Sequence, residues 1–187
     1  MTILWLVRHG QTDWNLTGRW QGQASDAPGL NEAGRAQALL ACEQLKGVHI
    51  SAAYSSDLLR SIQTAKLIAE TFGLDVNLKP GLREINLGLW EGMFSDDIQK
   101  QYPVELEARV KDPFHFRAPQ GEAPSEVADR VLAAVSKIVA NHPDESVLIV
   151  AHGVSLAIIL CHALEIPVKQ VYENIPENAK PYCVEWK

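Results

Sequence analysis

The apolar runs at residues 3–7, "ILWLV", and 147–151, "VLIVA", constrain this chain more than any other feature. Both are continuous and rich in branched side chains, the pattern of strands buried on both faces in parallel α/β sheets. Each run leads into a histidine followed by glycine, "RHG" at 8–10 and "AHG" at 151–153. Ligands of open α/β sheets bind just beyond the carboxyl ends of the strands. Taken singly, His9 or His152 reads as a polar residue satisfied at a strand end. Neighbouring parallel strands, however, would bring both imidazoles to one pocket, where Gly10 and Gly153 let the backbone turn and approach a ligand.

The segments between these runs alternate helix and strand. Asn31 reads as the N-cap of a helix through Ala33, Ala36, Leu39, Leu40 and Leu45, stopped by Gly47. Residues 48–54 read as a second strand and Leu58 to Phe72 as a second helix, with Gly73 as its stop. Asp75 to Leu78 suggests a short edge strand. Residues 80–124 are the least regular part: Pro103, Pro113, Pro119 and Pro124 interrupt it, and only a short helix near Ser95 to Tyr102 is suggested, the character of a lid. Ser125 reads as the cap of a helix bearing Val127, Val131, Leu132, Val135, Ile138 and Val139. Another helix begins near Ser155, and residues 182–186 form a last strand at an edge. This alternation implies a three-layer α/β fold in one domain spanning residues 1–187.

Composition narrows the partners. Seventeen Lys and Arg against 23 Asp and Glu give a net charge of -6, which argues against nucleic acid and anionic membranes. Cys42, Cys161 and Cys183 are odd in number and scattered, so neither a disulfide framework nor a metal site is expected from them. The first apolar run is too short for a secretory signal and none can cross a bilayer, so the expectation is a cytoplasmic protein.

A third strand end adds charge. In "YSSDLLRSIQTA" Arg60 falls in the first turn of the following helix, near the positive end of the helix dipole, and Arg8 precedes His9. Two guanidinium groups, two imidazoles and a helix N-terminus suit an oxyanion, because arginine forks match phosphate oxygens. No Walker loop, G-x-S-x-G elbow or zinc-ligand spacing occurs. Cysteine-based and aspartate-based phosphoryl transfer also lack their motifs, which leaves histidine.

Together, "LVRHGQTDWN", "GRWQGQASDAPGLNEAGRAQA", "SSDLLRSIQTA", "LREINLGLWEG" and "VAHG" resemble the histidine phosphatase superfamily, the phosphoglycerate-mutase-like proteins. The resemblance covers most of the chain from Ile3 to Gly153. It implies a three-layer α/β/α sandwich around a mixed, mostly parallel six-stranded sheet, and chemistry through a phosphohistidine without metal or cofactor. His9 would then be the nucleophile, Arg8, Arg60 and His152 would hold phosphoryl oxygens beside Gly153, and Asn15 would add a neutral donor. Gln21 and Gly22 correspond to positions near the phosphate, and Glu84 matches the general acid, which would later activate water. The competing role for Glu84 is an ion pair to Arg8 or Arg60. Asp13, Trp14, Trp90 and Glu91 are expected only to fix loops. His115 and Arg117 lie where family members often contact the rest of the substrate.

"QGEAPSE" departs from the Gly-Gly-Glu-Ser common among relatives and displaces the helix start, leaving Ser125 to cap it. Only about thirty residues separate "WEG" from "QGEAPSE", too few for the enclosing insertion of cofactor-dependent mutases. Hydrolysis is therefore favoured over mutase chemistry, and a silent phosphate-binding relative is disfavoured because the full set of residues is present. The expected substrate is a small phosphorylated metabolite: a sugar phosphate, a phosphoglycerate, α-ribazole phosphate or phosphomonoesters in general. The expected enzyme is a monomer or homodimer. Phe94, Tyr102, Phe114 and Phe116 form either an apolar wall for substrate or the small core of their own segment.

Overall fold

A computed structural model describes residues 1–186. The two apolar runs become β1 (Thr2–Arg8) and β4 (Ser146–Ala151), which lie side by side in parallel with Arg8 opposite Ala151. β2 (Ala52–Ser55) pairs in parallel with the other side of β4, and β3 (Val76–Leu78) pairs in parallel with β2. β5 (Pro181–Trp186) runs antiparallel along the free side of β1, so the order is β3-β2-β4-β1-β5. The sheet has five strands where the resemblance implies six. The chain passes from β3 directly into a 3-10 turn at Pro80–Leu82, where proline has no N–H to extend a ladder, and no further strand forms before β4.

Alternation along the strands divides the interior into two layers. On one face Val7, Ala53, Leu148 and Val150 pack against α2 (Glu32–Gln44) and α3 (Leu59–Glu70) through Ala41, Leu45, Ala65 and Ile68. On the other, Leu4, Leu6, Val147 and Ile149 meet α6 (Pro124–Ala140) and α7 (Gly153–Ala163) through Val127, Val131, Val135, Leu156 and Ile159. Burying each such aliphatic side chain stabilises the fold by about 1.5–3 kcal/mol. No helix among the described residues is long and apolar enough to cross a membrane.

Several helices differ from their sequence expectation for identifiable reasons. α2 buries its small face, Gly34, Ala38 and Ala41, whereas Leu39 and Leu40 are exposed. α6 starts at Pro124 with Ala123 as its N-cap, so Ser125 does not cap it. Proline at N1 needs no N–H, and the carboxylate of Glu126 accepts the Ala123 N–H at 2.9 Å instead. α7 begins at Gly153, two residues before Ser155. Within residues 80–124 the short helix α4 is present at Ser95–Gln101, but a further helix, α5 (Pro103–Lys111), follows it. Pro103 reads as a breaker in sequence and serves as a helix start in space. A five-residue helix, α1 (Asp13–Thr17), also interrupts the loop after β1.

The aromatic residues of the lid-like segment form its own small core. Trp90, Ile98 and Ala118 are buried beneath Trp20, Tyr102 and Phe116, with Phe116 stacked on Trp90 at 5.6 Å. Phe114 packs against the main core and Phe94 lies half-exposed at the surface. The loop leaving β1 is locked differently, by bare backbone. A Cβ on Gly34 would lie 2.1 Å from the Gln11 carbonyl oxygen, and one on Gly10 would lie 2.3 Å from that of Gly34. Gly34→Ala should therefore push α2 off this loop and destabilise the fold by about 1–3 kcal/mol, read as a lower denaturant midpoint with unchanged m-value.

Candidate active site

The parallel pairing of β1 with β4 carries directly into the loops beyond them. The His9 N–H donates to the Ala151 carbonyl at 3.0 Å, one last rung of the ladder. The two imidazoles consequently face each other with ring centroids 5.2 Å apart. Arg60, the second residue of α3, reaches the same point from the end of β2, and its Nε–H donates to His9 Nε2 at 3.2 Å. All three side chains are buried, with His9 3%, Arg60 2% and His152 0% exposed. The sequence-derived triad of strand ends is thus one cluster.

Hydrogen bonds fix the protonation pattern. His9 Nδ1 lies 2.8 Å from the Gly10 carbonyl oxygen, which can only accept, so the ring proton sits on Nδ1 and Nε2 keeps its lone pair. Asn178 Nδ2 donates to the His9 carbonyl at 2.7 Å, and the Gly10 N–H donates to Thr64 Oγ1 at 3.0 Å, holding the loop on both sides. Burial pushes the His9 pKa well below the ordinary histidine range, and the Arg60 and Arg8 guanidinium groups lower it further against the opposing Gly10 carbonyl. Burial does the same to His152, reinforced by Arg60, His9, Arg8 and Arg130. Burial also lowers Arg60 to about 10, which leaves it cationic at neutral pH.

Three buried polar atoms in this cluster have no partner: Arg8 Nε and both ring nitrogens of His152. Arg8 makes one bond, Nη1–H to the Pro176 carbonyl at 3.0 Å. Leaving a buried donor unmet costs roughly 1–3 kcal/mol, and native structures leave few of them. Arg8 and His9 line the cleft, whereas His152 lies fully buried behind them, its ring 5.2 Å from that of His9.

The cleft outside this cluster has a volume of about 370 Å³ and is lined by Arg8, His9, Asn15, Gln21, Gly22, Arg60 and Glu84 among others. Asn15 Oδ1 accepts the Thr12 N–H at 3.1 Å in the capping box of α1, leaving its amide nitrogen for the cleft. Gln21 Oε1 accepts from Thr12 Oγ1 at 3.0 Å, and the Gly22 carbonyl accepts from Arg60 Nη2 at 2.8 Å. Gly22 has a φ of 49°, and a Cβ there would strike the Glu91 carboxylate at 2.3 Å. Glu91 accepts the N–H groups of Gln23 at 2.7 Å and Leu87 at 3.0 Å, so it fixes loops.

Glu84 is not paired with either arginine. Its Oε1 accepts the Val154 N–H at 3.1 Å and the Ile85 N–H at 3.0 Å, and Oε2 lies 3.2 Å from the Val154 nitrogen. The carboxylate therefore sits on the N-terminal turn of α7, where the helix dipole favours negative charge. A Cβ on Gly153 would come within 3.3 Å of Glu84 Oε2, so glycine permits this approach.

His115 and Arg117 do not reach the cleft. The turn after α5 sends His115 to Asp112, with Nδ1 at 3.0 Å from the carboxylate, and Arg117 to Glu126 at 2.6 Å. Arg109 and Arg19 line it instead. The Arg109 guanidinium lies 4.9 Å from the Trp20 ring and 4.5 Å from that of Tyr172, and Arg19 lies 4.5 Å from Phe94. Arg109 and Tyr172 belong to no recognisable motif; Arg19 stands in "GRWQG" without a signal of its own. No group of three or more His, Cys, Asp or Glu able to hold a metal ion occurs among the described residues.

The family model of the histidine phosphatase superfamily (branch 1) matches residues 4–187. The chain belongs to that superfamily. It is 32% identical to phosphoserine phosphatase 1 of Hydrogenobacter thermophilus over 96% of this chain and 84% of that one. It is also 36% identical to the protein named probable phosphoglycerate mutase GpmB of Cronobacter sakazakii, over 89% and 77% of the two chains. Among solved structures it is similar to a mycobacterial glucosyl-3-phosphoglycerate phosphatase in complex with VO3, with TM-score 0.87, 35% identity, and coverage of 97% and 91%. This histidine phosphatase homologue is an enzyme of the phosphatase class.

The buried imidazoles have a thermodynamic consequence. Their pKa values in the folded state lie below the ordinary 6.5, so just beneath that pH the unfolded chain binds more protons than the native one. Stability should be full above pH 6.5 and decline as pH falls from there toward the lower folded-state values. Asp57, held low by its hydrogen bonds to Arg83, contributes only in the more acidic carboxylate range. Substituting both His9 and His152 by Gln should flatten the decline, checked by denaturant titrations at a series of pH values.

Proposed function

We propose that this enzyme hydrolyses phosphomonoesters through a phosphohistidine on His9, with Glu84 as general acid and then general base, and without a metal ion. The observation that carries the reading is the set of partnerless buried atoms, Arg8 Nε and the His152 ring, beside an uncharged imidazole whose Nε2 lone pair accepts the Arg60 Nε–H. A phosphoryl group placed there would meet the Arg8 guanidinium and the His152 ring, with Arg60 within reach from His9 Nε2.

The steps balance with these residues. His9 Nε2 attacks phosphorus, the ester P–O bond breaks, and Glu84 in its acid form protonates the departing oxygen. Water then attacks the phosphorus as Glu84 carboxylate takes its proton, the P–N bond breaks, and His9 returns uncharged. Arg60, already bonded to Nε2, turns to the phosphoryl oxygens once Nε2 is engaged.

Hydrolysis is favoured over transfer because Glu84 lines a cleft open to water and the covering segment is short. Arg19 and Arg109 carry positive charge to the mouth of the cleft, which supports a small phosphorylated metabolite whose alcohol portion is itself anionic. The relatives named for phosphoserine and glucosyl-3-phosphoglycerate support the same class. The enzyme is read as a cytoplasmic monomer or homodimer, with neither nucleic acid nor membrane as partner.

Turnover with 32P-labelled substrate, quenched in alkaline detergent, tests the mechanism. Label should be acid-labile, stable to base, and located on His9, and His9→Ala should abolish both labelling and turnover while retaining the fold. Label on serine or aspartate, or turnover surviving in His9→Ala, would remove His9 from the role of nucleophile.

A further inference from the structure

The segment that carries Glu84 belongs to no helix or strand, and Arg130, outside the cleft, makes most of the bonds that hold it, beside a 2.9 Å bond from Gln23 Nε2 to the Glu84 carbonyl. Arg130, on α6, commits all five of its guanidinium N–H groups. Nη1 donates to the Gly81 carbonyl at 3.1 Å and the Arg83 carbonyl at 2.7 Å. Nη2 donates to the Glu84 carbonyl and to Glu122 Oε2, both at 2.9 Å, and Nε donates to Glu122 Oε1 at 2.9 Å. Glu122 Oε2 also accepts the Asn86 N–H at 2.8 Å. The carbonyls of residues 83 and 84 and the amide of 86 are thereby fixed, and Ser155 of α7 adds a bond to the Arg83 carbonyl at 3.1 Å.

A loop normally leaves its backbone groups to water, yet here a planar fork gathers three carbonyls that no ladder binds. The fork faces the backbone of residue 84, and its carboxylate reaches the Val154 N–H at 3.1 Å. Any loosening of the fork frees the backbone from which that carboxylate projects. We propose that Arg130, with Glu122 as its fork partner, is the positioning pair for Glu84: it holds the carboxyl group on the first turn of α7 and sets the proton-transfer step without touching substrate. This rests on the reading of Glu84 as the general acid. A misplacement of about 1 Å at a reacting group can cost on the order of 10²-fold in rate, the scale expected here.

The test is a leaving-group comparison within a double-mutant cycle. Arg130→Lys keeps the charge but has three donors and no planar fork. It should lower kcat/KM for an alkyl phosphate by on the order of 10²-fold. It should also leave the rate of the p-nitrophenol burst from p-nitrophenyl phosphate unchanged, because nitrophenolate departs without a proton. Glu84→Gln should give the same selective loss, and the double variant Glu84→Gln/Arg130→Lys should be no worse than Glu84→Gln alone. Glu122→Gln, which loosens the same fork while keeping its shape, should repeat the pattern at smaller amplitude and serves if the Arg130 variant does not fold. Equal losses on both esters, losses that add to those of Glu84→Gln, or wild-type rates in both fork variants would overturn the proposal while leaving Glu84 as the acid. Absence of leaving-group selectivity in Glu84→Gln itself would overturn both.

Discussion

The alignment of β1 with β4 is the constraint on which the site depends. Because the strands run in parallel with Arg8 opposite Ala151, the ladder ends by bonding the His9 N–H to the Ala151 carbonyl, and the first residue beyond β4 is His152. A shift of one residue in this register would turn one imidazole to the opposite face of the sheet and separate the pair. The register is held by core packing on both faces, Leu4 and Leu6 toward α6 and α7, Val7 toward α2 and α3. The chemistry at the strand ends is therefore anchored by aliphatic burial well away from it.

That anchoring supports an arrangement that is unfavourable by itself. Arg60 is buried and Arg8 half-buried beside two imidazoles, and the carboxylate they feel, Glu84, is bonded to backbone N–H groups instead of to either guanidinium. The cluster avoids further repulsion because burial and the two arginines keep His9 and His152 uncharged. Unmet donors remain, at Arg8 Nε and His152. Under the proposed reaction, oxyanion oxygens would supply the acceptors that these donors lack. Glu84 stays apart from both guanidinium groups because the Val154 and Ile85 N–H groups hold its carboxylate at the start of α7.

Features of the fold set by local chemistry were legible in the sequence. Continuous apolar runs marked β1 and β4, Asn31 marked the start of α2, and the three strand ends carrying His9, Arg60 and His152 could be placed together from parallel topology alone. What was not legible depended on distant packing. Leu39 and Leu40 read as a core face, but α2 must approach the bare backbone of Gly10 and Gln11, so its small residues turn inward. Pro103 and Pro124 read as interruptions and are N1 residues of α5 and α6. Arg109 enters the cleft only because α5 exists and Trp20 and Tyr172 bracket its guanidinium, three segments with no common motif. His115 and Arg117, placed near substrate by resemblance, are drawn away by Asp112 and Glu126.

The resting site holds an uncharged His9 with its proton on Nδ1 and its Nε2 lone pair facing Arg60. Imidazole 15N chemical shifts of the selectively labelled protein at pH 7, recorded without ligand, measure this directly. The expected spectrum shows His9 as a neutral ring with a protonated Nδ1 and a non-protonated Nε2, with His152 also neutral. An imidazolium signature for His9, or a proton residing on Nε2, would contradict it.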